Sequence, residues 1–252
     1  MKKLFGLIVF LAVLYAGLIL ALSNNQRTTG DPVRDRERFV QTVNKTNYNL
    51  LRRVGFYGIL SLGVGVLIIA GGIDLSVGSV VCLSATLLVV LLTGTPPSWL
   101  PKAWHFEPVA AWAAILIVLA CGAFIGFIHG VLVAKLRLQP FIVTLCSLFI
   151  FRGLARWLTD DAALGLENRC QDLRHLLYRE DVFGLPKFLI IFLVLAAVVA
   201  VVLHLSVLGR HLFAIGSNEK AARYSGIAVD RVRILAYVGC SMLAAWVGCL
   251  YL

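Results

Sequence analysis

One carboxylate stands alone in a long apolar part of this chain. In Gly71-Gly72-Ile73-Asp74-Leu75-Ser76-Val77-Gly78-Ser79, Asp74 is the single charged residue between Val54 and Leu92. A carboxylate at the centre of a bilayer costs roughly 2.5–3.5 kcal/mol on insertion scales, so such a residue usually faces a protein interior or a watery cavity. Gly71 and Gly72 suit the end of one helix, and Asp74 or Ser76 suits the cap of the next. A helix broken beside an acid inside a membrane points to a solute pathway. Asp74 admits two readings. It either caps an ordinary tight turn at headgroup level, or shapes with Ser76 a discontinuous helix beside the path.

Polar side chains recur further along. Pro140 sets a helix start, where its missing N–H is harmless, and Thr144 and Ser147 then share a face. Arg152 and Arg156 share another face, roughly 18 and 24 Å along that helix from Pro140. They suit snorkelling to the far interface, with a bridge to an acid such as Asp160 as the alternative. His129, on a glycine-rich apolar stretch, reads as a packing residue rather than a proton relay. In the polar stretch 209–233, Ser217 or Asn218 can cap a short helix, Ala221 and Ala222 give it a small-residue face, and Gly226 can end it. About two turns are too short to be stable alone, so this helix needs a docking surface. It either grips a partner or lies on lipid headgroups.

The elements that must position these groups follow from composition. The 252-residue chain is 60% hydrophobic and 14% charged, against about 45–50% and about 25% in soluble domains. Its mean hydropathy is +0.90. An all-α, polytopic transmembrane bundle follows, because lipid offers no partner for an unpaired backbone group. Spans of about 20 residues fit seven stretches: 4–22, 54–72, 75–92, 109–134, 141–158, 188–205 and 234–252. Lys2 and Lys3 precede the first. Its length favours an uncleaved anchor over 1–22, although Ala21-Leu22-Ser23 would serve as a cleavage site.

A basic polar loop is expected over 23–53, and one membrane region over 54–252. Arg210, Lys220, Arg223, Arg231 and Arg233 mark 209–233 as an inner loop, which puts the N-terminus in the cytoplasm. Arg27, Arg34, Arg36, Arg38 and Lys45 in the outer loop run against that rule. The net charge of +10 belongs to loop orientation, and no nucleic acid partner is expected. Five cysteines sit in apolar runs and Cys170 in a polar loop; none has metal-site spacing, and all six read as structural.

Three ordered blocks resemble the permease subunits of bacterial ABC importers for ribose and related monosaccharides. They are Gly72-Ile73-Asp74-Leu75-Ser76-Val77-Gly78; the run Ala134 to Leu145 continuing to Phe151-Arg152-Gly153-Leu154-Ala155; and Leu208-Gly209-Arg210 with Ala214-Ile215-Gly216-Ser217-Asn218-Glu219, Ala221-Ala222-Arg223 and Ser225-Gly226-Ile227. The match runs from about Tyr57 to the end. His129 stands where that family typically has asparagine. The resemblance implies a multi-pass inner-membrane subunit, within which Asp74, Ser76, Thr144 and Ser147, read from their own chemistry, are expected to border the path. It also implies a coupling loop for a separate ATPase, built from Arg210, Gly216, Ser217, Asn218, Glu219, Ala221, Ala222, Arg223 and Gly226. Arg210, Glu219 and Arg223 would be rim contacts, with the alanines and Tyr224 at the packed centre.

The implied partners are that ATPase, a second permease chain and an external sugar-binding protein. Short polar side chains would suit a neutral, hydroxyl-rich sugar. Family members continue for several more membrane segments beyond the position of Leu252. The resemblance therefore implies a truncated chain, a non-functional fragment included, or a remainder supplied by another polypeptide.

Other classes fit less well. No GxxxxGK[ST] loop exists, so the chain is not its own ATPase of that kind. There is no GxSxG or HExxH, and His105, His175, His204 and His211 are scattered, so neither an enzyme nor a cofactor is expected. A branched-chain amino acid permease shares the plan but would lack the Gly-Ile-Asp-Leu-Ser string. An ion-driven carrier needs intramembrane acids, and only Asp74 is available.

Overall fold

The computed structural model describes residues 2–24, 31–94, 107–162 and 184–251. Arg27, His105, Cys170 and His175 lie outside them, as does most of the connection expected between 159 and 186. Among the described residues the regular elements are all helices: α1 (Lys2–Asn24), α2 (Pro32–Ile69), α3 (Val77–Thr93), α4 (Ala111–Ala134), α5 (Pro140–Thr159), α6 (Lys187–Leu205), α7 (Val207–Ser217), α8 (Glu219–Tyr224) and α9 (Val229–Leu250). The protein is an all-α polytopic bundle. Val33–Ile69, Ala111–Ala134, Pro140–Thr159, Lys187–Leu205 and Val229–Leu250 are long and apolar enough to cross a membrane, and Val9–Asn24 and Val77–Thr93 are shorter apolar helices. Among the described residues, five of the seven expected spans thus reach full length, and the two shorter apolar helices stand at the other two positions.

The chain divides into two compact units, Met1–Arg53 and Val54–Leu252. In the first, the Tyr15 hydroxyl donates to Asn47 Oδ1 at 2.9 Å, joining α1 to α2. Residues 32–53, expected as a polar loop, are helical and run without a break into the apolar part of α2. The start signal is local: Asp31 Oδ1 accepts the Val33 N–H at 3.1 Å, and Pro32 opens the helix. An acid at the cap followed by proline is a helix N-terminus even when basic residues follow.

In the second unit α9 is the central element. Twelve of its residues, among them Val232, Ala236, Tyr237, Ala244 and Ala245, are buried, whereas α6 buries only Phe188. Apolar residues of α6 such as Leu193, Val194 and Val198 are exposed, as suits a lipid-facing helix. Lipid tails are as apolar as leucine, so close contact between helices rather than water exclusion joins such elements, and small residues permit it.

Helix α4 meets α9 through Gly122, Gly126 and Gly130, one turn apart. A Cβ added at Gly126 would lie 2.5 Å from Tyr237 O and 2.6 Å from Val238 Cα, and one at Gly130 would lie 2.7 Å from Ile234 Cα. Backbone cannot yield as a side-chain tip can. Gly126→Leu is expected to part the two helices and cost about 2 kcal/mol or more. Thermal unfolding of the purified protein in detergent should show a large loss, and an unchanged midpoint would refute this packing.

Candidate functional site

The Asp74 turn is built by its neighbours. Helix α2 stops at Ile69 because Gly71 takes a φ of 74°, which directs its N–H to Ile68 O and that of Gly72 to Leu67 O, both at 2.9 Å. A φ in this range suits glycine, which has no Cβ to collide. The chain then runs through Ile73 and Leu75 to Ser76, the cap position of α3. Ser76 does not cap with its own side chain. Asp74 Oδ1 instead accepts both the Ser76 N–H at 2.7 Å and the Ser76 hydroxyl at 2.6 Å, while Ser79 Oγ donates to Ser76 O at 2.7 Å. Asp74 therefore supplies the acceptor from two residues upstream. Asp74 and Ser76 are both buried. Across the bundle, the Tyr237 hydroxyl of α9 donates to Ile73 O at 3.2 Å and holds the turn.

Beside this turn lies a polar interior drawn from α4, α5 and α9. His129 is 1% exposed, and its Nε2 is 2.8 Å from Ser147 Oγ. Its ring packs near Phe151 and edge-on to Tyr237, with centroids 5.9 and 6.3 Å away. Thr144 lies on the same helix as Ser147. It is buried, but its hydroxyl donates to Pro140 O at 2.8 Å, a bond within its own helix. The structure thus joins Asp74 to Ser76 and Ser147 to His129, and turns Thr144 inward on the backbone.

A second polar assembly forms around α8. Asn218 Oδ1 accepts the Ala221 N–H at 3.1 Å and caps the helix. Gly226, with a φ of 82°, ends it. Glu219 Oε2 accepts from Arg233 Nη2 at 2.7 Å, and Arg223 Nη2 reaches Asp230 at 2.8 Å and Glu219 at 3.4 Å. The hydrogen bond from Arg233 holds the Glu219 carboxyl below the usual carboxylate range. Gly216 lies so close to the Ile69 carbonyl that any side chain there would strike it.

Glu219 and Arg223, expected as rim contacts for a partner, pair with α9 of their own chain while remaining exposed on one side. Ala222, expected with Ala221 and Tyr224 at the packed centre, is 4% exposed and belongs to the core with Val229 and Val232. The stretch expected as loop up to residue 233 is largely helical, with α9 starting at Val229. Arg210, Ser217, Lys220, Ala221 and Tyr224 remain exposed. The orientation of Ala222 has a geometric cause: on a six-residue helix only one side can face out, and the network with α9 decides which.

Gly71, Arg137, Gln139, Lys220, Tyr224 and Arg233 border a cavity of about 900 Å³. The three connections expected on one side of the membrane therefore meet at one end of this unit. Elsewhere, Arg156 pairs with Asp161. Among the described residues no cluster of His, Cys, Asp and Glu could hold a metal, and Cys82, Cys121, Cys146, Cys240 and Cys249 are free thiols.

Sequence reasoning passed over Tyr237 and Ser241 and read Arg233 only as a loop charge. Their signal was present: they recur every four residues on α9, a polar stripe along an otherwise apolar span.

The family described as branched-chain amino acid transport system, permease component, matches residues 47–252. The ribose import permease protein RbsC of Bacillus subtilis (strain 168) is 35% identical over 207 residues, covering 79% of this chain and 58% of that protein. The ribose import permease protein RbsC of Escherichia coli (strain K12) is 32% identical over 204 residues, covering 80% and 59%. The autoinducer 2 import system permease protein LsrD of Escherichia coli O9:H4 (strain HS) is 34% identical over 195 residues, covering 75% and 54%. The chain thus spans less than two thirds of the length of these relatives. No solved structure matches it.

Proposed function

The chain belongs to the family of branched-chain amino acid transport system permease components, and from that premise we propose that it is a membrane-spanning subunit of an ATP-binding cassette importer for a monosaccharide. It sits in the cell inner membrane with its N-terminus in the cytoplasm. A separate ATPase engages the end of the bundle that carries α7 and α8. A second permease chain completes the path, and an external sugar-binding protein delivers the solute.

One observation carries this reading: α9 connects both polar assemblies. Arg233 holds α8, and one turn further, roughly 6 Å along the axis, Tyr237 holds the Asp74 turn. A helix is stiff along its axis. A pull on α8 by a closing ATPase therefore reaches the buried acid without passing through flexible loops. The permease contributes differential contacts in two states, and the nucleotide supplies the free energy. Asp74, Ser76 and Ser147 border the route, and Asp74 is a path residue as well as a cap.

The nature of the interior favours a sugar over an amino acid. A zwitterion calls for a buried cation to face its carboxylate. The buried polar and charged groups among the described residues are Asp74, His129 and hydroxyls, with no lysine or arginine. A neutral polyol fits hydroxyls and one acceptor.

Vesicles containing the chain with its ATPase and receptor should accumulate radiolabelled D-ribose or another monosaccharide only when ATP is supplied on the α8 side. Concentrative uptake by the chain alone would overturn the reading. Binding of the ATPase to right-side-out rather than inside-out vesicles would invert the proposed orientation.

A further inference from the structure

Among the described residues, three buried side-chain polar atoms have no hydrogen-bond partner: Asp74 Oδ2, His129 Nδ1 and Ser241 Oγ. They come from three separate elements, the turn before α3, α4 and α9. Native interiors rarely leave such groups unpaired, because burial strips them of water with no return. All three are linked through Tyr237: its hydroxyl donates to Ile73 O beside Asp74, the His129 ring lies edge-on to it, and Ser241 is one turn along α9 from it.

Their chemistry is also complementary to one kind of ligand. The Ser147 hydroxyl already engages Nε2 of His129, which leaves Nδ1 to serve a second group. The first carboxylate oxygen of Asp74 is engaged by Ser76, which leaves Oδ2 as a strong acceptor. A ligand hydroxyl both donates and accepts. A ligand hydroxyl can donate to Asp74 Oδ2, and others can pair with His129 Nδ1 and Ser241 Oγ. We infer that Asp74, His129 and Ser241 together form a hydroxyl-binding station for the solute, with His129 and Ser241 setting which hydroxyl pattern passes. This rests on the transport reading above and extends it to two residues on helices outside the three sequence blocks.

The test uses the chain assembled with its ATPase and receptor in vesicles. The receptor is saturated in turn with D-ribose and with D-xylose, which differ in the direction of one hydroxyl, so that only the membrane step discriminates. Ser241→Ala and His129→Leu are each expected to slow D-ribose uptake about 3- to 10-fold, the worth of one lost hydrogen bond, and to move the ribose-to-xylose rate ratio. His129→Asn, which keeps a donor and an acceptor, should retain most of the wild-type ratio. An unchanged ratio in both Ser241→Ala and His129→Leu would mean the cluster holds only water, and would overturn the inference. Should His129→Leu fail to assemble, Ser241→Ala decides alone. A wild-type complex that takes up neither sugar with ATP strikes down the transport reading itself, a result distinct from normal uptake with an unchanged ratio.

Discussion

Asp74→Leu is expected to abolish uptake while leaving the chain in the membrane. Leucine removes a carboxylate oxygen that accepts two hydrogen bonds from Ser76. Hydrogen bonds to a charged group are each worth about 1.5–3 kcal/mol. Losing both takes at least ~3 kcal/mol from the turn, about a hundredfold or more in any equilibrium that depends on it. Insertion does not suffer in parallel, because a buried carboxylate costs roughly 2.5–3.5 kcal/mol that leucine does not incur.

The leucine variant by itself does not separate a path residue from a cap. Asp74→Asn does. Asparagine keeps an acceptor for the Ser76 N–H and hydroxyl, but replaces the unpartnered Oδ2 with an amide donor. The expected result is normal amounts of folded protein with uptake reduced about tenfold, the equivalent of roughly 1.4 kcal/mol. Transport assays normalised to protein in the vesicle decide it. Wild-type rates in Asp74→Asn would make Asp74 a helix cap and nothing more.

The other large effect concerns communication. Glu219→Lys places a third positive charge against Arg223 and Arg233, where the native carboxylate faces both. The Arg233 side chain is only 15% exposed, so it has little water to turn to. Helix α8 should detach from α9, and solute-stimulated ATP hydrolysis by the assembled complex should fall by at least about tenfold. The exchange Glu219→Lys with Arg233→Glu restores an opposite-charge pair and should recover part of the coupling. Full coupling in the single variant would show that the α8–α9 contact does not carry the signal.

The same pair makes a prediction about pH. Arg233 lowers the folded-state pKa of Glu219. The stabilisation is therefore present above the unfolded-state value of about 4.3 and is lost as pH falls through the folded value. Between pH 5 and pH 8 this pair contributes no pH dependence to coupling.

The capping of α8 by Asn218 and the glycine break after α2 were legible because both are local. A cap needs a side chain within three residues of its N–H, and a left-handed turn needs a glycine at the right place. The helix over 32–53 was legible in the same way through Asp31 and Pro32, but the weight of basic residues masked it. Membrane class was legible because hydropathy sums over the chain regardless of which helix touches which.

By itself, then, the amino-acid sequence determined an all-helical membrane bundle, the position of its broken helix, and the three blocks that place it in its family. The tertiary structure alone decided the pairings. Ser147 reaches His129 across 18 residues, Arg233 reaches Glu219 across 14, and Tyr237 reaches Ile73 across 164. It also decided that Ala222 faces its own core and that the Thr144 hydroxyl turns back on its helix. Such choices depend on how closely helices approach and at what rotation. In this bundle, backbone contacts at Gly126, Gly130 and Gly216 set that approach, and no local rule of sequence contains it.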